Sequence, residues 1–230
     1  MTDITIHTEP AFLLETTVEG TDLDVARSAW ASTKGEKAAD EADPVRVAGL
    51  INFLMRERHG SPFEQVGFRF LVKTPIVVWR EHMRHRIASY NEQSGRYMQL
   101  APEFYSPGPA RPLTQGGKPG AYTFSAGTLE QQREVRLMHE VTYRAAYGEY
   151  EYLLGIGVAK EVARMHLPPT IYSTAFVRIN LRSLMNFLSL RSAPTAMYEI
   201  RYLAGLYEAE FQTAFPLVHR AWQDNGRQAP

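Results

Sequence analysis

The stretch Phe68-Arg-Phe-Leu-Val-Lys-Thr-Pro75-Ile-Val-Val-Trp-Arg-Glu-His-Met-Arg-His-Arg86 changes its periodicity once, at Thr74-Pro75. Before that point Phe68, Phe70 and Val72 alternate with Arg69 and Lys73, the pattern of a strand with one buried face. After it, a side-chain cap followed by proline opens a helix that is expected to run to about Arg86. The strand therefore leads straight into a helix, with no linker. Outward from this junction, strand and helix signals follow one another without strict alternation. That order reads as α+β rather than as a doubly wound sheet.

Upstream, residues 11–18 read as a strand, and residues 22 to about 32 as a short helix with Leu23, Ala26 and Trp30 on one side. Residues 35–43 are polar and read as a loop. Asp43-Pro44 opens another helix, with Val47, Leu50, Ile51 and Leu54 on one face and Gly60 as its expected end. Downstream, residues 101–120 hold five prolines and four glycines and read as a long loop. Residues 128–154 read as one helix about 40 Å long, lined by Val135, Met138, Thr142, Ala145, Glu149 and Tyr152. Its length exceeds what a domain of this size needs, which suggests packing against a second subunit. A short helix at 158–166 stops before Pro168-Pro169. Ile171, Ser173, Ala175, Val177 and Ile179 then alternate as a strand. Asn180 caps a helix carrying Leu181, Leu184, Met185 and Leu188, and a last helix is expected over about 195–214.

Composition removes several function classes. The 230 residues include no cysteine, so disulfides, thiolate metal sites and cysteine nucleophiles are excluded. Lys+Arg and Asp+Glu both number 25, so the basic excess of a general nucleic-acid binder is missing. Only five of the basic residues are lysine (34, 37, 73, 118, 160), and the rest are arginine, whose planar fork pairs with carboxylate or phosphate. No apolar run reaches about 18 residues, and the N-terminus lacks the basic and apolar regions of a secretory signal, so a cytoplasmic protein without a membrane partner is expected.

The densest polar segment is Arg84-His85-Arg86-Ile-Ala-Ser89-Tyr-Asn91-Glu92-Gln-Ser94-Gly-Arg96. Two readings of it stand. Cations at a helix C-terminus complement its dipole, and Ser, Asn and Gly make turns. Alternatively, hydroxyl, amide, carboxylate and guanidinium groups together form a site for a phosphorylated small molecule. His82 and His85 do not read as metal ligands, because Arg80, Arg84 and Arg86 would repel a cation; no metal is expected. A second cluster, Asn180-Leu-Arg182-Ser183-Leu-Met-Asn186-Phe-Leu-Ser-Leu-Arg191, puts Arg182 and Asn186 on one helix face. No Gly-x-Gly-x-x-Gly, P-loop or Gly-x-Ser-x-Gly turn is present, so any nucleotide is held in some other way.

Residues 84–96 match every fixed position of Arg-His-Arg-x-x-Ser-x-Asn-Glu-x-Ser-x-Arg, the signature of the flavin-dependent thymidylate synthases. Arg58-His59-Gly60-Ser61-Pro62-Phe63-Glu64, Val162-Ala-Arg164-Met-His-Leu-Pro168 and residues 180–191 resemble other blocks of that family, in its order, over roughly 12–215. The resemblance implies a single compact α+β domain over residues 1–230. It has a central, mainly antiparallel sheet flanked by long helices and assembles as a homotetramer with sites at subunit junctions. It also implies methylation of deoxyuridine monophosphate (dUMP) to thymidylate, with methylenetetrahydrofolate supplying carbon and NADPH-reduced FAD supplying hydride.

By the same resemblance, His59, Ser61, Glu64, Arg84, His85, Arg86, Glu92, Asn180, Arg182 and Asn186 match flavin positions. Glu81, Arg84, Glu92, Ser94, Gly95, Arg96, Arg164 and Arg191 match positions around dUMP, with Arg191 the catalytic arginine that activates the pyrimidine. The lack of cysteine agrees with this, since it forbids thiolate addition to uracil; a guanidinium can instead stabilise negative charge developing on the ring. Two positions depart from the family, Thr195 and Gln65, where histidine is usual. They keep in view a dUMP sensor without turnover; a flavin-dependent NADPH oxidase indifferent to dUMP is a third reading.

Overall fold

The computed structural model describes residues 3–35 and 43–230. Most of the loop expected at 35–43 lies outside the described residues. In chain order the elements are β1 (Thr5–His7), β2 (Phe12–Glu19), α1 (Asp22–Ala31), α2 (Pro44–Arg56), β3 (Gly67–Pro75), α3 (Ile76–His82), β4 (Ser89–Glu92), β5 (Glu103–Tyr105), β6 (Thr114–Lys118), β7 (Ala121–Ser125), α4 (Leu129–Gly155), α5 (Lys160–Ala163), β8 (Tyr172–Asn180), α6 (Leu181–Arg191), α7 (Tyr198–Ala214) and α8 (Pro216–Asp224). A four-stranded sheet is ordered β2-β3-β8-β4. β1 and β5 pair in parallel, and β6 and β7 form an antiparallel hairpin. The class is α+β, as the order of signals indicated.

The described residues group into two compact units. One draws on Met1–Phe12, Lys73–His82 and Glu92–Ala175, the other on Leu13–Val72, Met83–Asn91 and Phe176–Pro230. In the second unit, Phe68, Phe70 and Val72 are buried and Arg69 is exposed, as their alternation requires. Phe70 stacks on Phe68 with ring centroids 5.0 Å apart and on Tyr207 of α7 at 4.2 Å. Each such side chain contributes about 1.5–3 kcal/mol on full burial. The Asp43 carboxylate caps α2 by accepting the Arg46 N–H, and Thr21 with Asp24 closes a capping box on α1. α2 stops at Arg56, before Gly60; the left-handed residue beyond it is Arg58, at φ 59°.

α8 was not anticipated. Its first free N–H groups, on Leu217 and Val218, donate to the Asp22 carboxylate at 3.0 Å each, so the acid that opens α1 also caps α8. α7 begins at Tyr198 rather than near 195. On α7, Glu208 accepts both terminal nitrogens of Arg227 at 2.6 Å and lies 3.3 Å from His219 Nε2. Burial pushes the Glu208 carboxyl up, but the Arg227 and His219 contacts outweigh it and hold its pKa below the ordinary value. In acid, the unfolded chain therefore takes up a proton that folded Glu208 resists. The stability this gives is present above about pH 4.5 and lost as pH falls through the depressed folded value. Glu208→Gln is expected to flatten the acid limb of a melting-temperature profile recorded between about pH 6 and pH 3.

The first unit is organised by tyrosines. Tyr143, Tyr147 and Tyr150 form the buried face of α4. Tyr143 stacks on Phe104 at 4.6 Å and donates its hydroxyl to the Tyr105 carbonyl at 2.7 Å; Tyr147 donates to the Leu100 carbonyl at 2.7 Å. The line from Val135 to Tyr152 is on the other side, where Met138 is 52% and Tyr152 67% exposed. The tyrosines can face inward because each hydroxyl finds a backbone partner, which leaves the ring free to be buried.

The expected loop at 101–120 contains β5 and β6. The expected helix at 158–166 is the four-residue α5 followed by a 3-10 turn, Arg164–His166. α3 ends at His82 rather than near Arg86, because residues 89–92 leave the helical path to pair as edge strand β4 beside β8.

Candidate active site

Two clefts hold most of the polar residues singled out in the sequence, one in each unit. In the second unit a cleft of about 700 Å³ is lined by Glu64, Arg84, His85, Arg86, Asn180, Arg182 and Asn186. Its floor follows from how α6 begins. Asn180 is extended (φ −75°, ψ 162°) and accepts the Ser183 N–H at 2.8 Å, which ends β8 and caps α6 in one residue. The helix then buries Leu181, Leu184, Met185, Phe187 and Leu188, so Arg182, Asn186 and Leu190 face outward at successive four-residue steps.

Arg182 is fixed on three sides. Its Nε donates to the Pro230 carbonyl at 2.7 Å, and its Nη1 to Glu64 at 2.5 Å. The third side is Gly60: a Cβ there would lie 2.4 Å from Arg182 Nε and 2.6 Å from Cζ. Gly60 thus serves as the bare surface on which the guanidinium rests, rather than as a helix terminator. Gly60→Ala is expected to displace Arg182 without unfolding the chain, because a flexible side chain can move aside. Affinity for an anionic ligand held by Arg182 should fall several-fold, about 1 kcal/mol or more, with the melting temperature nearly unchanged; a fluorescence titration with FAD, the cofactor that the resemblance implies, checks this.

The Nε of Arg191, at the C-terminus of α6, donates to His85 Nε2 at 2.9 Å. That nitrogen must then carry a lone pair, so a neutral His85 holds its proton on Nδ1. The His85 ring sits edge-on to Phe187 at 4.8 Å, and its carbonyl accepts the Tyr90 hydroxyl at 3.2 Å. Burial pushes the Tyr90 pKa up to about 12, so the phenol stays a donor at neutral pH.

In the first unit a cleft of about 440 Å³ is lined by Glu92, Ser94, Gly95 and Arg164 together with Gln93, Leu100 and Ser173. Gly95 is buried, and a Cβ on it would press on Arg164 Cδ at 3.2 Å and Leu100 Cδ1 at 3.3 Å, so backbone and arginine stem meet there in close contact. Ser173 is 2% exposed, and its hydroxyl has no hydrogen-bond partner among the described residues. An orphaned hydroxyl on a cleft wall fits a site that receives polar atoms from a ligand.

The residues named from sequence divide as follows. Seven of the flavin candidates share the larger cleft, while Glu92 lines the smaller one. His59 and Ser61 are exposed and line neither cleft; the His59 ring stacks on Phe53 at 5.9 Å. Glu92, Ser94, Gly95 and Arg164 of the dUMP candidates come together in the smaller cleft. Arg96 instead pairs with Glu161 at 2.9 Å, and Glu81 lies in α3 without lining either cleft. Arg84 and Arg191 belong to the second unit. Sequence reasoning missed Ser173 and the tail residues Ala229 and Pro230. A hydroxyl on the apolar face of a strand was the available signal for Ser173; the tail gave none.

A family model described as thymidylate synthase complementing protein matches residues 13–217. The chain belongs to this family. Among proteins it resembles is a flavin-dependent thymidylate synthase of Streptomyces coelicolor, 49% identical over 220 residues, which cover 91% of this chain and 89% of the relative. Another of the same name, from Tropheryma whipplei strain TW08/27, is 49% identical over 236 residues, 96% of this chain and 98% of that one. Among solved structures, the UMP/dUMP methylase PolB of Streptomyces cacaoi bound with 5-Br dUMP superposes with a TM-score of 0.90 at 38% identity, covering 99% of this chain and all of that one. Thr195 and Gln65 thus stand in a member of the thymidylate synthase complementing protein family that keeps its signature intact. Gln65 Nε2 reaches the Ser61 carbonyl at 3.4 Å, and Thr195 is exposed.

Proposed function

We propose that the chain is a flavin-dependent thymidylate synthase that methylates dUMP with carbon from methylenetetrahydrofolate. The observation that carries this reading is the run 84–96, which contributes 84–86 to one cleft and 92–95 to the other. The larger cleft fits FAD by its donor set, three guanidinium groups and two asparagine amides, with no glycine-rich phosphate turn needed. Arg84, Arg86, Arg182, Asn180 and Asn186 would hold the dinucleotide there, with His85 beside them. Bound FAD would supply hydride drawn from NADPH, chemistry beyond the reach of side chains.

The protein's own part is to bind and polarise. Ser94, the Gly95 backbone and Arg164 present donors to a nucleotide phosphate, and Glu92 and Ser173 offer polar partners to sugar or base. Arg191, its Nε anchored on His85, stabilises negative charge developing on the pyrimidine, so no enzyme thiolate is required. We assign His59, Ser61, Glu81 and Arg96 to the edges of these sites, by resemblance alone.

The assembly we propose is a homotetramer in the cytoplasm. The exposed apolar side of α4, with Leu137, Met138 and Val141, supports burial against another copy. No helix among the described residues is long and apolar enough to cross a membrane. Sedimentation at four times 26.1 kDa checks the assembly.

The decisive experiment is the visible spectrum of the purified protein, followed by assay of thymidylate formation from dUMP with all co-substrates and of the parallel reaction with UMP. Flavin absorbance with turnover of dUMP is expected. A colourless protein that stays inactive with added FAD defeats the reading, and turnover of UMP at the same efficiency redefines the substrate.

A further inference from the structure

The segment 226–230 runs along α6 and is pinned at three of its five residues. The Ser189 hydroxyl, shared between the Arg227 carbonyl at 2.5 Å and the Met185 carbonyl at 2.7 Å, holds the first; Arg58 Nη2 donates to Gln228 Oε1 at 2.7 Å, and Arg182 Nε donates to the Pro230 carbonyl at 2.7 Å. Ala229, between the last two, lines the flavin cleft and also an adjoining cleft of about 670 Å³, together with Asn186 and Leu190 in both.

The segment is thus held near both of its ends on one helix, by side chains seven residues apart on α6. Its upstream anchor is firm: the Arg227 guanidinium is two-pronged on Glu208 at 2.6 Å and lies 4.3 Å from the Trp222 ring centroid. The turn into it uses two left-handed residues, Gly226 at φ 80° and Arg227 at φ 56°.

At the other end stands Arg182. With Nε on Pro230 and Nη1 on Glu64, its guanidinium cannot turn about its stem, and Nη2 is the nitrogen engaged by neither. A donor fixed before the ligand arrives loses less freedom on binding than a mobile one.

We propose that residues 226–230 form a strap, anchored by Arg227 on Glu208, whose task is to pre-set Arg182 for the anionic part of a dinucleotide. This rests on the larger cleft being the flavin site. Arg227, Glu208, Ser189 and Arg58 are then positioning residues, acting on the cofactor through Arg182 and the cleft wall at Ala229 and Pro230.

The test is FAD titration of the full chain, followed by flavin fluorescence, for the wild type, an Arg58→Ala/Ser189→Ala double variant, Arg227→Gly and Arg227→Lys. Glycine keeps the left-handed backbone and removes only the anchor. Melting temperature and turnover at saturating FAD are recorded in parallel. The expected result is a Kd for FAD raised about tenfold in the double variant and in Arg227→Gly. Arg227→Lys should recover part of the loss, and turnover at saturating FAD should stay at the wild-type level. A merely structural role would lower melting temperature and turnover together without this split. Unchanged FAD affinity in the folded double variant overturns the strap, and that variant decides the matter if Arg227→Gly does not fold. A wild type that takes up no FAD overturns the flavin reading, and the strap with it.

Discussion

Arg191→Ala is expected to leave a folded protein that binds FAD but makes thymidylate at least about a hundredfold more slowly, the cost of removing one electrostatic stabiliser from an active site. The position explains why flavin survives the change. Arg191 sits at the end of α6, where its Nε engages His85, whereas Arg182 and Asn186, about two and a half and one and a half turns before it, line the cleft. Truncation removes the guanidinium and frees the His85 lone pair, but leaves the helix cap at Asn180 and its buried leucines untouched. The measurements are flavin absorbance, dUMP affinity by calorimetry, and turnover. Loss of flavin in step with turnover would show that the contact with His85 is a cofactor support and not a catalytic device.

Gly67→Ala should be the most damaging single methyl in the second unit. A Cβ at Gly67 would lie 2.4 Å from the Ile179 carbonyl oxygen and 2.8 Å from Asn180 Cα. Both obstacles are backbone, so neither can swing aside as Arg182 can at Gly60. The chain next to Gly67 is tied down as well, because the Leu181 N–H donates to the Val66 carbonyl at 2.9 Å. Forcing the strands apart costs about 1–3 kcal/mol or more, which in a chain of this size lowers the melting temperature by about 2–4 °C per kcal/mol. It also moves Asn180, the cap from which Arg182, Asn186 and Arg191 take their direction. Stability and FAD affinity should therefore fall together, whereas Gly60→Ala should lower affinity alone. Thermal melts run beside FAD titrations separate the two glycines.

Features set within a few residues of one another were legible in the sequence. The alternation of Phe68, Phe70 and Val72, the caps at Asp43 and Asn180, and the four-residue step from Arg182 to Asn186 all appear where expected. The chemical density of residues 84–96 was also plain. Their division between two clefts was not, because it depends on β4 pairing beside β8, a contact between segments some eighty residues apart. The buried face of α4 was hidden for a chemical reason: three tyrosines bury well only once carbonyls and amides of a distant loop satisfy their hydroxyls. Gly60 was read through its usual preference for helix ends, while its actual use is the space it leaves for an arginine met 122 positions later in the numbering.

The placement of Arg227 over Trp222 has an optical consequence. The chain has three tryptophans, all buried; Trp30 has the guanidinium of Arg46 5.1 Å from its ring centroid, and Trp222 that of Arg227 at 4.3 Å. Any event that lifts residues 226–230 away from α6 moves Arg227, changes the electric field across Trp222 and lets water approach it, while Arg46 on Trp30 stays in place. Native emission, with no added label, can therefore report when that segment comes loose.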